Sequence, residues 1–158
     1  MPSTDPDIAL LRHTVATLAY RAGKALRGAP PEFAGYQGAT RTPLQILAHM
    51  GDLFDWACGL AQGRHEWHDS QPMPWDHEAA RFFAALAAFD RCLAGSAKLG
   101  FPAERLFQGP VADALTHTGQ LAMLRRMAGC PIKGENYFKA HITAGVVGGD
   151  QAAPRVEF

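Results

Sequence analysis

His117 stands where a helical interface ordinarily takes Leu or Ile, on the apolar seam between Ala114 and Leu121. A buried imidazole must hydrogen-bond or ligate a metal, or it costs stability. Asp113 lies one turn earlier, at i−4, so both side chains project from nearly the same helix face. A carboxylate buried beside that seam calls for a compensating cation. In a second helical stretch His49 borders the apolar stripe, with Asp52 about one turn further on. The spacing fits two arrangements. One is an Asp113–His117 hydrogen-bonded pair with a separate, half-exposed His49; the other is a metal site drawn from both helices.

The remaining polar groups carry weaker signals. His13, His65, His68 and His77 fall on solvated faces or in the polar loop RHEWHD, a poor platform for a first ligand shell. Trp75, Glu78 and Arg81 form a W-x-x-E-x-x-R line that reads as a helix-start acid with an i+3 ion pair. Asp52 and Glu78 are the carboxylates that offer a general base. Gln120, three residues after His117, is placed to orient that ring, and Gly119 to allow close helix packing. Cys58, Cys92 and Cys130 are odd in number, widely spaced and without a C-x-x-C, which suits reduced thiols and a cytoplasmic protein.

The elements that must position these groups are four helical patterns over about residues 6–27, 43–63, 76–98 and 109–128, followed by an irregular Gly-rich tail, 130–158. Thr42-Pro43 opens the second, Asp76 caps the third and Gly109-Pro110 opens the fourth. No alternating strand pattern, repeat or low-complexity tract interrupts them. The expectation is an all-α chain of one domain, 1–158, built as a four-helix bundle. The long connections before and after the second helix allow a crossover topology. With 47% apolar and 19% charged residues, the chain has ordinary globular composition. Fifteen basic residues balance fifteen acidic ones, which excludes strong global attraction to nucleic acid or an acidic membrane surface. No uninterrupted apolar stretch suggests a transmembrane helix, and MPSTDPDIALL lacks the pattern of a secretory signal.

Two stretches resemble a known superfamily. TPLQILAHMGD is similar to the second helix of the DinB/YfiT-like four-helix-bundle proteins, where a T-P or S-x-x-x-I/L opening leads to a metal-ligating His. DALTHTGQLAMLRRMAG resembles their last bundle helix, written H-x-x-x-H-R-G-Q with an apolar run and L-R. The Gly119-Gln120 pair and Leu124-Arg125 set the register. The resemblance implies that His49 and His117 are metal ligands and that Asp113 stands where the superfamily has its remaining His. Two imidazoles and one carboxylate suit Zn, Ni, Fe or Mn and leave positions open for water or substrate. The lower charge that Asp113 brings favours harder ions than an all-His site would.

Proteins of this superfamily resemble metal-dependent hydrolases, or transferases and isomerases that use a small thiol, so a small-molecule substrate is implied. The contrasting expectations are a non-catalytic bundle that binds a small molecule or partner, and a homodimer built on an exposed apolar face. The tail segment ENYFKAHITAG is too apolar to stay solvated. It is expected to fold back on the helices, burying Tyr137, Phe138 and Ile142, with Asn136 or Tyr137 reaching a ligand and His141 as a weaker fourth-ligand candidate.

Overall fold

Residues 5–158 are described by a computed structural model. The first four residues of the MPSTDPDIALL segment lie outside them. The described residues contain helices and no strand, apart from one isolated antiparallel bridge between Glu135 and Glu157. The helices are α1 (Pro6–Leu26), α2 (Pro43–Ala61), α3 (Trp75–Gly95), α4 (Ala103–Leu106) and α5 (Ala112–Met127). None is long and apolar enough to cross a membrane.

Local chemistry explains the starts. The Asp5 carboxylate accepts the Asp7 and Ile8 amides at 2.8 and 3.4 Å, and Pro6 needs no partner at the first position. Thr42 and Gln45 form a reciprocal capping box at α2, with Pro43 behind it. Asp76 does not cap α3. The helix begins one residue earlier, at Trp75, and the buried Glu78 carboxylate instead reaches back to accept the Met73 amide at 3.0 Å.

Gly109-Pro110 does not open the last helix either. Helical structure is already present from Ala103, and Phe107–Val111 form a π turn that joins α4 to α5. Proline has no N–H to give a regular α ladder, and the wider π turn absorbs that loss inside the helix. It ends directly before Ala112-Asp113, so it sets the face on which Asp113 and His117 emerge.

Helix α3 packs between α1 and α2, and α5 packs between the same two helices on the other side. The four long elements thus follow one another around the core as α1–α3–α2–α5. The segment 62–74 therefore joins neighbours and makes no crossover. The crossing is made by residues 27–42, which pass α5 on the way to α2. There a Cβ on Gly38 would stand 3.1 Å from Leu124 and 2.4 Å from the Tyr36 ring, so a side chain at this position would force both neighbours to shift. A continuous core of Leu, Ala, Phe and Val fills the centre, with Phe33, Phe54, Phe82 and Phe89 fully buried.

The tail folds back, but not as expected in detail. Tyr137 meets Tyr20 edge-on with ring centres 6.2 Å apart, and the Arg21 guanidinium lies 4.2 Å above its ring. Glu135 is buried and accepts from Lys24 at 2.7 Å and from the Tyr20 hydroxyl; Glu157 accepts from Lys24 at 2.9 Å. These bonds hold the tail against α1. Phe138, however, is 95% exposed, because the short turn Tyr137–Lys139 commits only one face to α1 and gives that face to Tyr137. His141 accepts from Arg155 within the tail.

Candidate metal centre

Helices α2 and α5 bring His49, Asp113 and His117 together. One ligand atom from each lies within 4.8 Å of the others. Both Nε2 atoms lie 3.4 Å from the same carboxylate oxygen, Asp113 Oδ2. The two rings stand at right angles with centres 4.9 Å apart. The site is not in the core centre. Side-chain exposures of 22%, 45% and 12% for His49, Asp113 and His117 place it at the lip of the α2–α5 groove. The buried seam of α5 is carried by Ala114, Thr118, Leu121 and Arg125, so Asp113 and His117 sit one flank over from it.

The tautomer of His117 is decided by its neighbour. Its Nδ1 lies 2.7 Å from the Gln120 amide oxygen, an acceptor, so Nδ1 carries the proton. A neutral His117 then presents its Nε2 lone pair to the Asp113 carboxylate. Two acceptors this close repel, and a cation held between them relieves that repulsion. His49 turns the same atom to the same oxygen. One divalent ion held between them satisfies all three groups at once. The separations agree: donors about 2.1 Å from a tetrahedral ion lie about 3.4 Å apart.

Of the other sequence candidates, Asp52 is nearest. It lines, with His49, a small cavity of about 230 Å³ that Arg41, Gln45 and Ser70 also border. Its oxygens accept the Ser70 amide at 2.9 Å, the Ser70 hydroxyl at 2.7 Å and Arg81 Nη1 at 3.0 Å. Burial alone would raise its pKa, but these donors outweigh burial and hold it below the ordinary value. Such a carboxylate is a poor proton acceptor at neutral pH. Glu78 is fully buried and bound to Arg81 Nε at 3.0 Å and to the Met73 amide, so its oxygens are engaged. Asn136 and Tyr137 stand with the tail on α1, where Tyr137 borders a cavity between α1 and α5. Gly119 borders the same cavity and a Cβ there would meet nothing within 4 Å, so close packing is not its role.

A second group, Asp52, Asp55 and His68, also gathers three ligand atoms. Arg81 Nη1 already bridges its carboxylates at 3.0 and 3.3 Å, so the cation there is the guanidinium. The Cys58 thiol is pushed up by burial and by Cys92 beside it, and so stays protonated.

Two contributors were missed at the level of sequence. Trp67, from the loop 62–74, packs on His49 with ring centres 5.5 Å apart and on Trp56 at 5.7 Å. Arg41, one residue before the α2 cap, borders grooves on both sides of the site. Trp67 stands in a segment without periodicity, and Arg41 in a cap-adjacent turn; neither position is coded by spacing. Comparison of the chain with protein-family models, curated proteins and solved structures gives no match.

Proposed function

We propose that this chain is a metal-dependent protein of the DinB/YfiT-like four-helix-bundle type, with one divalent ion held by His49, Asp113 and His117. The observation that carries the reading is the pair of equal 3.4 Å approaches of two Nε2 atoms to Asp113 Oδ2, one of them from a ring whose proton Gln120 holds on the far nitrogen. The superfamily resemblance of the two helix motifs adds to it. Bound there, a Zn, Ni, Fe or Mn ion supplies Lewis-acid polarisation of a carbonyl, a thiol or water.

The chain's own groups supply the rest. Gln120 fixes the His117 tautomer, and Trp67 covers the His49 ring against solvent. The 45% exposure of Asp113 and the grooves that His49 and His117 border leave room for a substrate beside the three ligands. That openness favours an enzyme, a hydrolase or a small-thiol-dependent transferase, over a closed structural site. Titration of the metal-free protein with cobalt should give one equivalent of binding and visible absorption bands of low-symmetry Co(II). His117→Ala should abolish them while the helical circular dichroism is kept. Equal binding by His117→Ala would overturn the assignment.

A further inference from the structure

The His117 side of the site opens on a groove of about 460 Å³ with two unlike parts. Its wall is apolar: Ile46, Met123, Leu124 and Met127 line it, and both methionines are 53% exposed. Unbranched thioether side chains left in solvent make an adaptable apolar surface. Its rim is the segment Gly38–Arg41, and Arg41 is the only Lys, Arg, Asp or Glu lining the groove. Among the described residues no carboxylate comes within ion-pair distance of Arg41, whereas Arg12 and Arg81 both have such partners.

The position of Arg41 is built rather than incidental. On one side Gly38 packs against Leu124 of α5; on the other Thr42 is locked into the α2 capping box. The guanidinium is thus carried on a short, doubly anchored turn. Arg41 also borders the smaller cavity next to His49. That cavity has acids of its own, but Asp52 is compensated by Arg81 and Ser70, and Asp69 accepts from Trp67 Nε1 at 3.1 Å. In the larger groove on the His117 side, the one charged lining residue is the cation Arg41.

Resting on the metal reading above, we infer that the substrate class is a small amphipathic anion. Its carboxylate or similar anionic group pairs with Arg41, its apolar body lies on Met123 and Met127, and its reacting atom sits beside His117. A planar guanidinium recognises carboxylates by paired charge-assisted hydrogen bonds, so Arg41 is a specificity-determining residue and not a catalytic one.

The test uses cobalt-loaded full-length protein and thiols, which report from the metal by a sulfur-to-cobalt charge-transfer band. ω-Mercaptocarboxylates from mercaptopropionate to mercaptooctanoate are each compared with the mercaptoalcohol of equal length. At the best length the carboxylate should bind about tenfold tighter than the alcohol, and Arg41→Ala should remove that difference while leaving the alcohol and the cobalt affinity unchanged. Arg41→Lys should restore part of it. Equal binding of acid and alcohol at every length, or an acid preference that survives in Arg41→Ala, overturns the inference with the metal site intact. Failure of the wild-type protein to bind cobalt overturns the metal reading itself, and the inference with it.

Discussion

The single bond between His117 Nδ1 and Gln120 Oε1, 2.7 Å long, decides which face of the imidazole is available to an ion. Without the amide oxygen the ring is free to exchange its proton between nitrogens and to turn about its Cβ–Cγ bond. Partners that orient a ligating His are worth roughly ten- to a hundredfold in metal affinity. Gln120→Leu should therefore weaken cobalt binding by about tenfold or more with little change in folding, since Gln120 is exposed on α5. Competition against a chelator of known affinity measures it. Unchanged affinity would mean that α2–α5 packing alone holds the ring. Asp113 needs no such help, because its carboxylate lies between the two rings and half in solvent, where either oxygen can turn to an ion.

Between α2 and α3 a buried charge network fastens the loop that covers the site. Arg81 donates to Glu78, Asp52, Asp55 and the Ala48 carbonyl, and a Cβ on Gly51 would stand 2.7 Å from its guanidinium carbon. Gly51 thus lets Arg81 lie flat on α2. The loop 62–74 is tied to this network through Ser70 on Asp52 and Met73 on Glu78, and it carries Trp67 onto His49. Asp52→Asn should cost about 2 kcal/mol at neutral pH, the value of charge-assisted bonds to a buried carboxylate. The sign of the pH effect follows from the lowered pKa of Asp52 in the fold. The unfolded chain takes up the proton first, near the ordinary value of about 3.9, so the contribution is complete above that and fades as pH falls through the folded value. Urea unfolding of both proteins across the acid range should show the gap closing below about pH 4. A gap that stays constant to the lowest pH would exclude ionised Asp52 as its source.

At the scale of the molecule, the tail is drawn against the last turns of α1. Lys24, 7% exposed, pairs with Glu135 and Glu157 from the tail. Arg125, near the end of α5, donates to the carbonyls of Ala25 in the last turn of α1 and of Arg27 and Gly28 just beyond it, and to Cys130 at the start of the tail. The Ala25 carbonyl is one of the orphans that a helix C-terminus leaves, and one guanidinium gathers it with its neighbours. Glu135→Ala leaves Lys24 with a single, more exposed partner and removes the acceptor of the Tyr20 hydroxyl. It should cost about 3 kcal/mol by urea unfolding, at the lower end for breaking a buried pair. Cobalt affinity should not change, since the tail packs on α1 and not over the triad. A parallel loss of cobalt affinity would show that the tail supports the site after all.

Some of this was written plainly in the chain. Apolar residues at three- and four-residue spacing, with Thr42 and Pro43 at the start of the second, were enough for α1 and α2, because capping and periodicity are local. Where a helix start depended on contacts elsewhere, local reading placed it wrongly. Helix α3 starts at Trp75 behind Pro74 with no side-chain cap, while Glu78 ties down the preceding Met73 amide, and a π turn carries the last helix straight through Gly109-Pro110. For the site, the i, i+4 spacing put Asp113 and His117 on one face, but spacing alone could not tell a local pair from a ligand set. That depended on α2 lying beside α5, which turns His49 onto the same oxygen. The fates of Arg41, Trp67 and Phe138 were likewise tertiary. Each sits in a turn or loop whose direction is set by what it packs on: Leu124 beneath Gly38, His49 beneath Trp67, and α1 beneath Tyr137, which leaves Phe138 in solvent. Helix formation follows from bonds four residues apart, whereas convergence of a site follows from which faces the core brings together.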